Sequence, residues 1–320
     1  MGAITSIEIG FIVGFAVAMA VTFIAVPWLI PRLKARGIVG KDLNKPGQPE
    51  IAEMGGIAVV VGFFAGISIL LSFNHVTNKD LLNVSLSAIL GAAFVGMMDD
   101  IFDMRQRQKA LLPFILALPL GVAVDPKIVI PHVGTLEFGI VMPIAAAFAV
   151  TCAANAANML EGFNGLGAGM GIIMSWTLVI LAIAHNRLDG VYLLVPLLGA
   201  LIAFLWFNKY PAKVFPGDTM MLFMGATIAV AGILSNLQVQ TIFIFLPMIA
   251  EFFLKFRGHF EAENYASKAD NGHIEYHGRI ESLTHLYMKI MRLTEKELVY
   301  LIWGLEVAIC TFVIAVDLMI

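Results

Sequence analysis

Met97-Met98-Asp99-Asp100-Ile101-Phe102-Asp103-Met104-Arg105-Gln106-Arg107-Gln108-Lys109 marks the point where an apolar run ends in three carboxylates and three cations. An ionised carboxylate at the middle of a membrane helix costs roughly 2.5 to 3.5 kcal/mol, and less toward the helix end. Three acids in this position call for a function. On a helix, Asp99 and Asp103 share a face and Asp100 stands about 100° round. Lys109 follows about two turns further on. Three converging acids beside a lysine suit a divalent cation and a polyphosphate better than a lone salt bridge. The competing account is that the acids snorkel to water at a helix end, beside their basic neighbours.

Composition sets the class around this stretch. Of 320 residues, 59% are hydrophobic and 13% charged, with a mean hydropathy of +0.88. A soluble globular chain would carry about 25% charged residues. The chain is therefore expected to be an all-α integral membrane protein, a single polytopic domain over residues 1–320. The net charge of −3 says nothing about partners because the charges are so unevenly placed, and no nucleic-acid partner is expected. Cys152 and Cys310 lie in apolar runs, which argues against a disulfide framework or a cysteine-ligated metal. The first cation is Arg32, so residues 9–30 read as a retained first span rather than a signal peptide.

A span needs about 20 mostly apolar residues, and polar, Gly and Pro punctuation separates about ten of them. Their cores are 7–31, 55–73, 81–100, 109–124, 138–156, 166–184, 190–207, 219–234, 239–256 and 298–318. All but three of the 20 lysines and arginines fall on the side of loops 1–2, 3–4, 5–6, 7–8 and 9–10. The three others are Lys79, Lys127 and Arg187. That asymmetry makes the first side cytoplasmic and puts both termini on the other side. Nearly every residue able to do chemistry falls on that same side: Asp42, Glu53, the three acids above, Asn158, Glu161, Asn164, Asp218, His259 and Glu261. Function is expected on the cytoplasmic face. A cation-coupled transporter would show polar residues at mid-span and pathways open to both sides. The outer connections are plain, apart from a small β-hairpin expected in loop 4–5 around Pro131 and Gly134. The 9–10 loop, about residues 257–297, is too small for a core of its own and reads as a lid or wall over a site built by the spans.

Four further stretches carry candidate chemistry. Loop 1–2, from Gly40 to Gly56, holds Asp42, Leu43 and Glu53, and its prolines and glycines forbid a long helix. Asn155-Ala-Ala-Asn158-Met-Leu-Glu161-Gly-Phe-Asn164-Gly165 sets amides and one acid at a membrane boundary, where amides can meet the edge of an uncharged heterocycle. In Phe215-Pro-Gly217-Asp218, Asp218 stands either as a helix cap or as a metal ligand, with Phe215 as a stacking surface. Arg257-Gly-His259-Phe-Glu261 opens the last loop, and His259 beside Arg257 is a candidate substrate contact. The histidines lack zinc-ligand spacing.

In this order the motifs resemble the polyprenyl-phosphate N-acetylhexosamine-1-phosphate transferase family, over about residues 40–263. The likeness is strongest to its eukaryotic and archaeal branch, in Asn155-Ala-Ala-Asn158-Met-Leu-x-Gly-Phe-Asn164-Gly-Leu and Tyr210-Pro-x-x-Val214-Phe215-x-Gly217-Asp218-Thr219. Two departures stand out. Asp103 is a bacterial-like choice, and Arg257-Gly-His259 does not reproduce that branch's Arg-His-Arg sugar clamp.

The resemblance implies transfer of a sugar 1-phosphate from UDP-GlcNAc to dolichyl or another polyprenyl phosphate at the bilayer, with release of UMP. It implies Mg2+ (or Mn2+) held by Asp218 and Asn158, with Asp99 or Asp100 joining through water. Lys109 and Arg257 would hold phosphates, and Asp99, Asp100 and Asp103 would organise the cations. Uracil would rest on Phe215, read by Asn164 and the backbone near Leu43, while Glu53 and His259 complete the candidate substrate contacts. A homodimer is also implied. A bacterial-type transferase using undecaprenyl phosphate and another UDP-amino sugar is the alternative within the same class. Plasma membrane and endoplasmic reticulum membrane both remain open.

Overall fold

A computed structural model describes residues 6–45, 47–73, 78–130, 133–266, 268–270 and 272–319. The apolar runs fold as helices: α1 (Ser6–Ala35), α2 (Gly56–Ser72), α3 (Lys79–Phe102), α4 (Gln106–Ala123), α5 (Met142–Leu160), α6 (Leu166–Ala184), α7 (Val191–Asn208), α8 (Gly217–Leu234), α9 (Gln238–Ile244), α10 (Leu246–Arg257), α11 (Leu283–Ile290) and α12 (Glu295–Met319). Each of the ten expected cores falls on helix. Fewer than ten helices have the length and apolarity to cross a bilayer, however. Among the described residues seven do: α1, α3, α5 with its lead-in turn, α6, α7, α8 and α12. The ninth core is split into α9 and α10, bent by 60° at Phe245, and counts as an eighth only if the bent pair is one span. Helix α2 is apolar but 17 residues long, and α4 opens on Arg107 and Lys109 and carries Pro113 and Pro119.

Helix α8 is the most enclosed and packs against α2, α3, α5, α6, α7 and α9. Small residues allow that closeness, since backbones without bulky side chains can approach one another. A Cβ at Gly225 would stand 2.4 Å from the Ala153 carbonyl oxygen of α5, and one at Gly96 of α3 would stand 2.4 Å from the Asp218 carbonyl oxygen. Those contacts bring the C-terminal ends of α3 and α5 to the N-terminus of α8.

The expected hairpin forms from β3 (Lys127–Ile130) and β4 (Gly134–Glu137), antiparallel, with Lys127 paired to Glu137 at 3.0 Å. Pro131 lies outside the described residues. Loop 1–2, where no long helix was expected, is also a hairpin, β1 (Val39–Lys41) with β2 (Glu50–Ala52). The last loop adds a three-stranded sheet, β5 (Lys268–Asp270), β6 (His273–Glu275) and β7 (Leu293–Thr294), around α11. Each strand is two to four residues long, too short to show a period-2 pattern.

Candidate active site

The corner between α3 and α4 is built by Asp99. Asp103 takes the left-handed conformation, φ 49°, and ends α3 with its N–H on the Asp99 carbonyl at 2.9 Å. The Asp99 carboxylate then accepts the Met104 N–H at 2.8 Å through Oδ1 and the Lys109 ammonium at 2.7 Å through Oδ2. Lys109, buried on the first turns of α4, also forms an ion pair with Asp218. Asp103 itself is exposed and serves here as the turn residue.

Asp100 faces the other way and caps α8. Its carboxylate accepts the Asp218 N–H at 2.6 Å, the Thr219 N–H at 3.0 Å and the Thr219 hydroxyl at 2.6 Å. The first amides of a helix lack intrahelical partners, and Pro216 at the N-cap offers no side-chain bond. A carboxylate from α3 fills that role and fixes where Asp218 stands. Gly217, φ +66°, leaves room: a Cβ there would come within 2.7 Å of Asp100 Oδ2.

Loop 1–2 is stitched to the same point. The Phe215 N–H donates to the Ala52 carbonyl at 2.8 Å, and the Phe215 and Pro216 carbonyls accept Gly55 and Gly56 N–H at 2.9 Å each. The Phe215 ring and the Glu53 carboxyl both crowd Gly40. Burial, and then the Asp100 charge, push the Glu53 carboxyl above the ordinary carboxylate range.

A second cluster forms beside the first. The Asn164 side-chain amide donates to Asp42 Oδ2 at 3.0 Å, and its backbone N–H donates to Glu295 Oε1 at 3.0 Å. Lys45 pairs with Asp42 and, at 3.5 Å, with Glu295, and lies 4.6 Å from the centre of the Tyr210 ring. Leu43 is about one-third exposed on the same loop. Glu161 accepts the Gly167 N–H at 2.8 Å, and burial pushes its carboxyl up to about 8. Asn158 is half-buried, and among the described residues its side chain makes no hydrogen bond. Because Gly225 packs on Ala153 and Ala154, a rise of about 1.5 Å per residue along antiparallel α5 and α8 brings Asn158 level with Met221, one turn from Asp218.

The last loop supplies different residues from those expected. The Arg257 guanidinium is exposed and donates to the Ile280 carbonyl, and His259 is exposed with φ 57°. Neither is brought to Lys109. Lys255 points inward instead, donating to the Met159 carbonyl at 2.7 Å, with Glu251 at 3.7 Å. Asn264 Nδ2 donates to the Met159 and Glu161 carbonyls, both at 2.8 Å. Glu251 and Lys255, four apart in an apolar helix, were the signal for a buried charged face on α10. Asn264 and Glu295 carried no comparable signal.

Asp99 and Asp218 therefore meet on one cation, Lys109, with Asp100 holding the turn that carries Asp218 and Glu53 close enough to Asp100 to feel its charge. Asp218 Oδ2 is buried and receives no hydrogen bond of good geometry, only the ion pair. Among the described residues no three or more His, Cys, Asp or Glu side chains group as a ready metal cage. Magnesium needs none, since it takes one or two carboxylates and completes its shell with substrate phosphate and water. The donors here are all oxygen, an excess of negative charge in which one buried carboxylate oxygen is held by an ion pair alone, and they fit such an ion shared with a diphosphate.

Comparison with known proteins bears on this arrangement. Residues 81–236, which include Asp99, Lys109, Asn158, Asn164 and Asp218, match the sequence profile of Glycosyl transferase family 4. A protein of Saccharolobus solfataricus, provisionally named UDP-N-acetylglucosamine–dolichyl-phosphate N-acetylglucosaminephosphotransferase, is 38% identical over 91% of this chain and 91% of its own. Its namesake in Sulfolobus acidocaldarius is 36% identical over 93% and 94%. The enzyme of that name in Schizosaccharomyces pombe is 32% identical over 76% of this chain and 66% of its own.

Proposed function

This chain belongs to glycosyl transferase family 4, and from that membership we propose that it transfers N-acetylglucosamine 1-phosphate from UDP-GlcNAc to dolichyl or a related polyprenyl phosphate, releasing UMP. The observation that carries the reading is the meeting of Asp99 and Asp218, from different helices, on one lysine, Lys109. A lipid phosphate is already largely dianionic near neutral pH, its second pKa being about 6, so no strong base is required. One of its oxygens attacks the phosphorus that carries the sugar. The bond from that phosphorus to the UMP oxygen breaks in line, and UMP leaves with the electron pair.

Lys109 holds the diphosphate and offsets the charge growing on the leaving oxygen. Asp99 orients Lys109, and Asp100 holds the first turn of α8. Asp103, exposed at the same corner, is available to cations that accompany the lipid phosphate. Asp218 and Asn158 would hold Mg2+ or Mn2+, which when bound neutralises the diphosphate as a Lewis acid. Phe215 offers uracil a face, and the Asn164 side-chain oxygen, which accepts no hydrogen bond among the described residues, can take the base N–H beside the Leu43 backbone. Glu53 lies against Phe215 and Asp100 as a further donor contact. The 257–297 loop acts as a lid, and Arg257 and His259 meet the donor when it closes.

The charge asymmetry supports ten crossings, with both termini outside and this site at the cytoplasmic face of a plasma or endoplasmic reticulum membrane. We propose a homodimer. The test is purified chain with radiolabelled UDP-GlcNAc and dolichyl phosphate, with and without magnesium. Labelled lipid and UMP in equal amounts are expected. Uptake into sealed vesicles without UMP would overturn the reading in favour of transport.

A further inference from the structure

Helix α10 leaves its aromatic side uncovered. Phe253, Phe256 and Phe260 are 63%, 61% and 45% exposed, while Glu251 and Lys255 take the inner face. The outer rings run on as a ladder: Phe252 stands 6.1 Å from Phe256 between centres, and Phe260 lies 5.7 Å and 5.9 Å from those two. Phe260 reaches the ladder because the chain reverses after Gly258. Its N–H returns to the Lys255 carbonyl at 2.9 Å, and His259 and Phe260 both take positive φ, 57° and 62°. Such backbone is ordinarily left to Gly or Asn. A fold that holds two bulky residues in it, and so sets one more ring on an open apolar face, has something apolar to meet there. Helix α10 is the second half of the bent apolar pair that begins with α9, so the acyl chains of the bilayer are what that face meets.

Cations gather at the end of this ladder. The Arg257 guanidinium donates to the Ile280 carbonyl, and Lys289 Nζ donates to the Gly278 carbonyl at 3.1 Å. The 278–280 turn is thereby clamped beside the last turn of α10, with Arg279 exposed between the two bonded carbonyls. From Gly278 to Arg292 the chain holds three exposed cations, Arg279, Lys289 and Arg292, against one acid, Glu281, which lies half-buried against Gly258. Exposed rings with cations at their edge are the pattern of a surface seated at headgroup level, rings among the chains and cations among the phosphates. We propose that Phe253, Phe256 and Phe260, with Arg279 and Lys289, form a docking surface for anionic phospholipid headgroups of the surrounding bilayer, and that this contact seats the last loop. The same turn runs into Ser282 and Leu283, both bonded to Glu251, and Thr284 holds the Asn264 carbonyl. Lipid contact therefore reaches the residue that holds the 159–161 turn. The surface goes beyond the transfer reaction and does not depend on it.

The test is hydrogen exchange over residues 257–292 of the full chain, without substrate, in nanodiscs of phosphatidylcholine alone or with about one-third phosphatidylglycerol. A cation near an anionic surface is worth about fivefold in binding. Arg279 and Lys289 together should then slow exchange by about 25-fold in the anionic discs relative to the neutral ones. Arg279→Gln should cut that ratio about fivefold and Arg279→Glu should abolish it. Both should leave the neutral discs unchanged, because the clamping bonds come from Arg257 and Lys289. Phe260→Ser should quicken exchange in both kinds of disc, and where it folds poorly the Arg279 pair still reads the charge. Equal wild-type exchange in the two discs, an Arg279→Gln effect of the same size in both, or an unmoved Phe260→Ser would overturn the proposal. Protection that appears only when dolichyl phosphate is added to neutral discs would give the surface to the lipid substrate and overturn it as well.

Discussion

Replacing Asp100 separates two roles that an aspartate pair invites, covalent nucleophile and helix cap. Its carboxylate receives three hydrogen bonds, from Asp218 N–H at 2.6 Å, Thr219 N–H at 3.0 Å and the Thr219 hydroxyl at 2.6 Å. Pro216, at the N-cap of α8, supplies no side-chain cap of its own. Loss of a cap costs about 1 to 2 kcal/mol, and bonds to a charged acceptor about 1.5 to 3 each. Since water reaches part of the freed turn, Asp100→Ala should destabilise the fold by about 3 kcal/mol. Asp100→Asn keeps one acceptor oxygen and should cost about half of that. Asp218 rides on the capped turn, and a displacement of about 1 Å at a reacting site is worth roughly 100-fold in rate. UMP release should therefore fall about 100-fold in Asp100→Ala and be partly restored in Asp100→Asn, with melting temperature following the same order. An asparagine variant as inactive as the alanine one, at an unchanged melting temperature, would refute the cap and favour an aspartyl-phosphate route.

Three other outcomes follow from the same contacts. Lys109→Met should lower kcat/KM for the UDP-sugar by about 100- to 1,000-fold. Adding Asp99→Asn should then cost little more, because the pair acts as a unit, which a double-mutant cycle measures. Glu161 carries an acid raised from 4.5 to about 8. The stability its neutral form lends is whole below about pH 4.5 and is lost as pH rises through about 8. Melting temperature should decline between about pH 4.5 and 8, and Glu161→Gln should flatten that decline. EDTA should stop UMP release, with magnesium or manganese restoring it and zinc failing to, as all-oxygen donors require.

Much of the site was legible because its chemistry is local. An acid at the end of an apolar run stands out by its desolvation cost alone, and the structure brings Asp99 and Asp218 together on Lys109. Asn158 and Asn164 announced themselves as amides in an uncharged turn. The roles within the set were less legible. Asp99 and Asp100 are adjacent and chemically identical, yet one holds Lys109 and the other caps a helix 118 residues away. Arg257 and Lys255 are both basic at the end of α10, and helix phase turns Lys255 inward and Arg257 out.

By itself the sequence determined that the chain is helical and made for a bilayer, and which of its side chains are acidic, basic or amide at the ends of the apolar runs. Those are properties of composition, periodicity and side-chain chemistry, summed over one stretch at a time. Tertiary structure alone decided which acid faces which cation, that Glu295 of α12 orders Asn164, and that Asn264 of the last loop holds the 159–161 turn. Each of these depends on distances between segments far apart in the chain. Such distances are set by close approach of helices over Gly96 and Gly225 and by where the loops are pinned, and no pattern within a single segment encodes them.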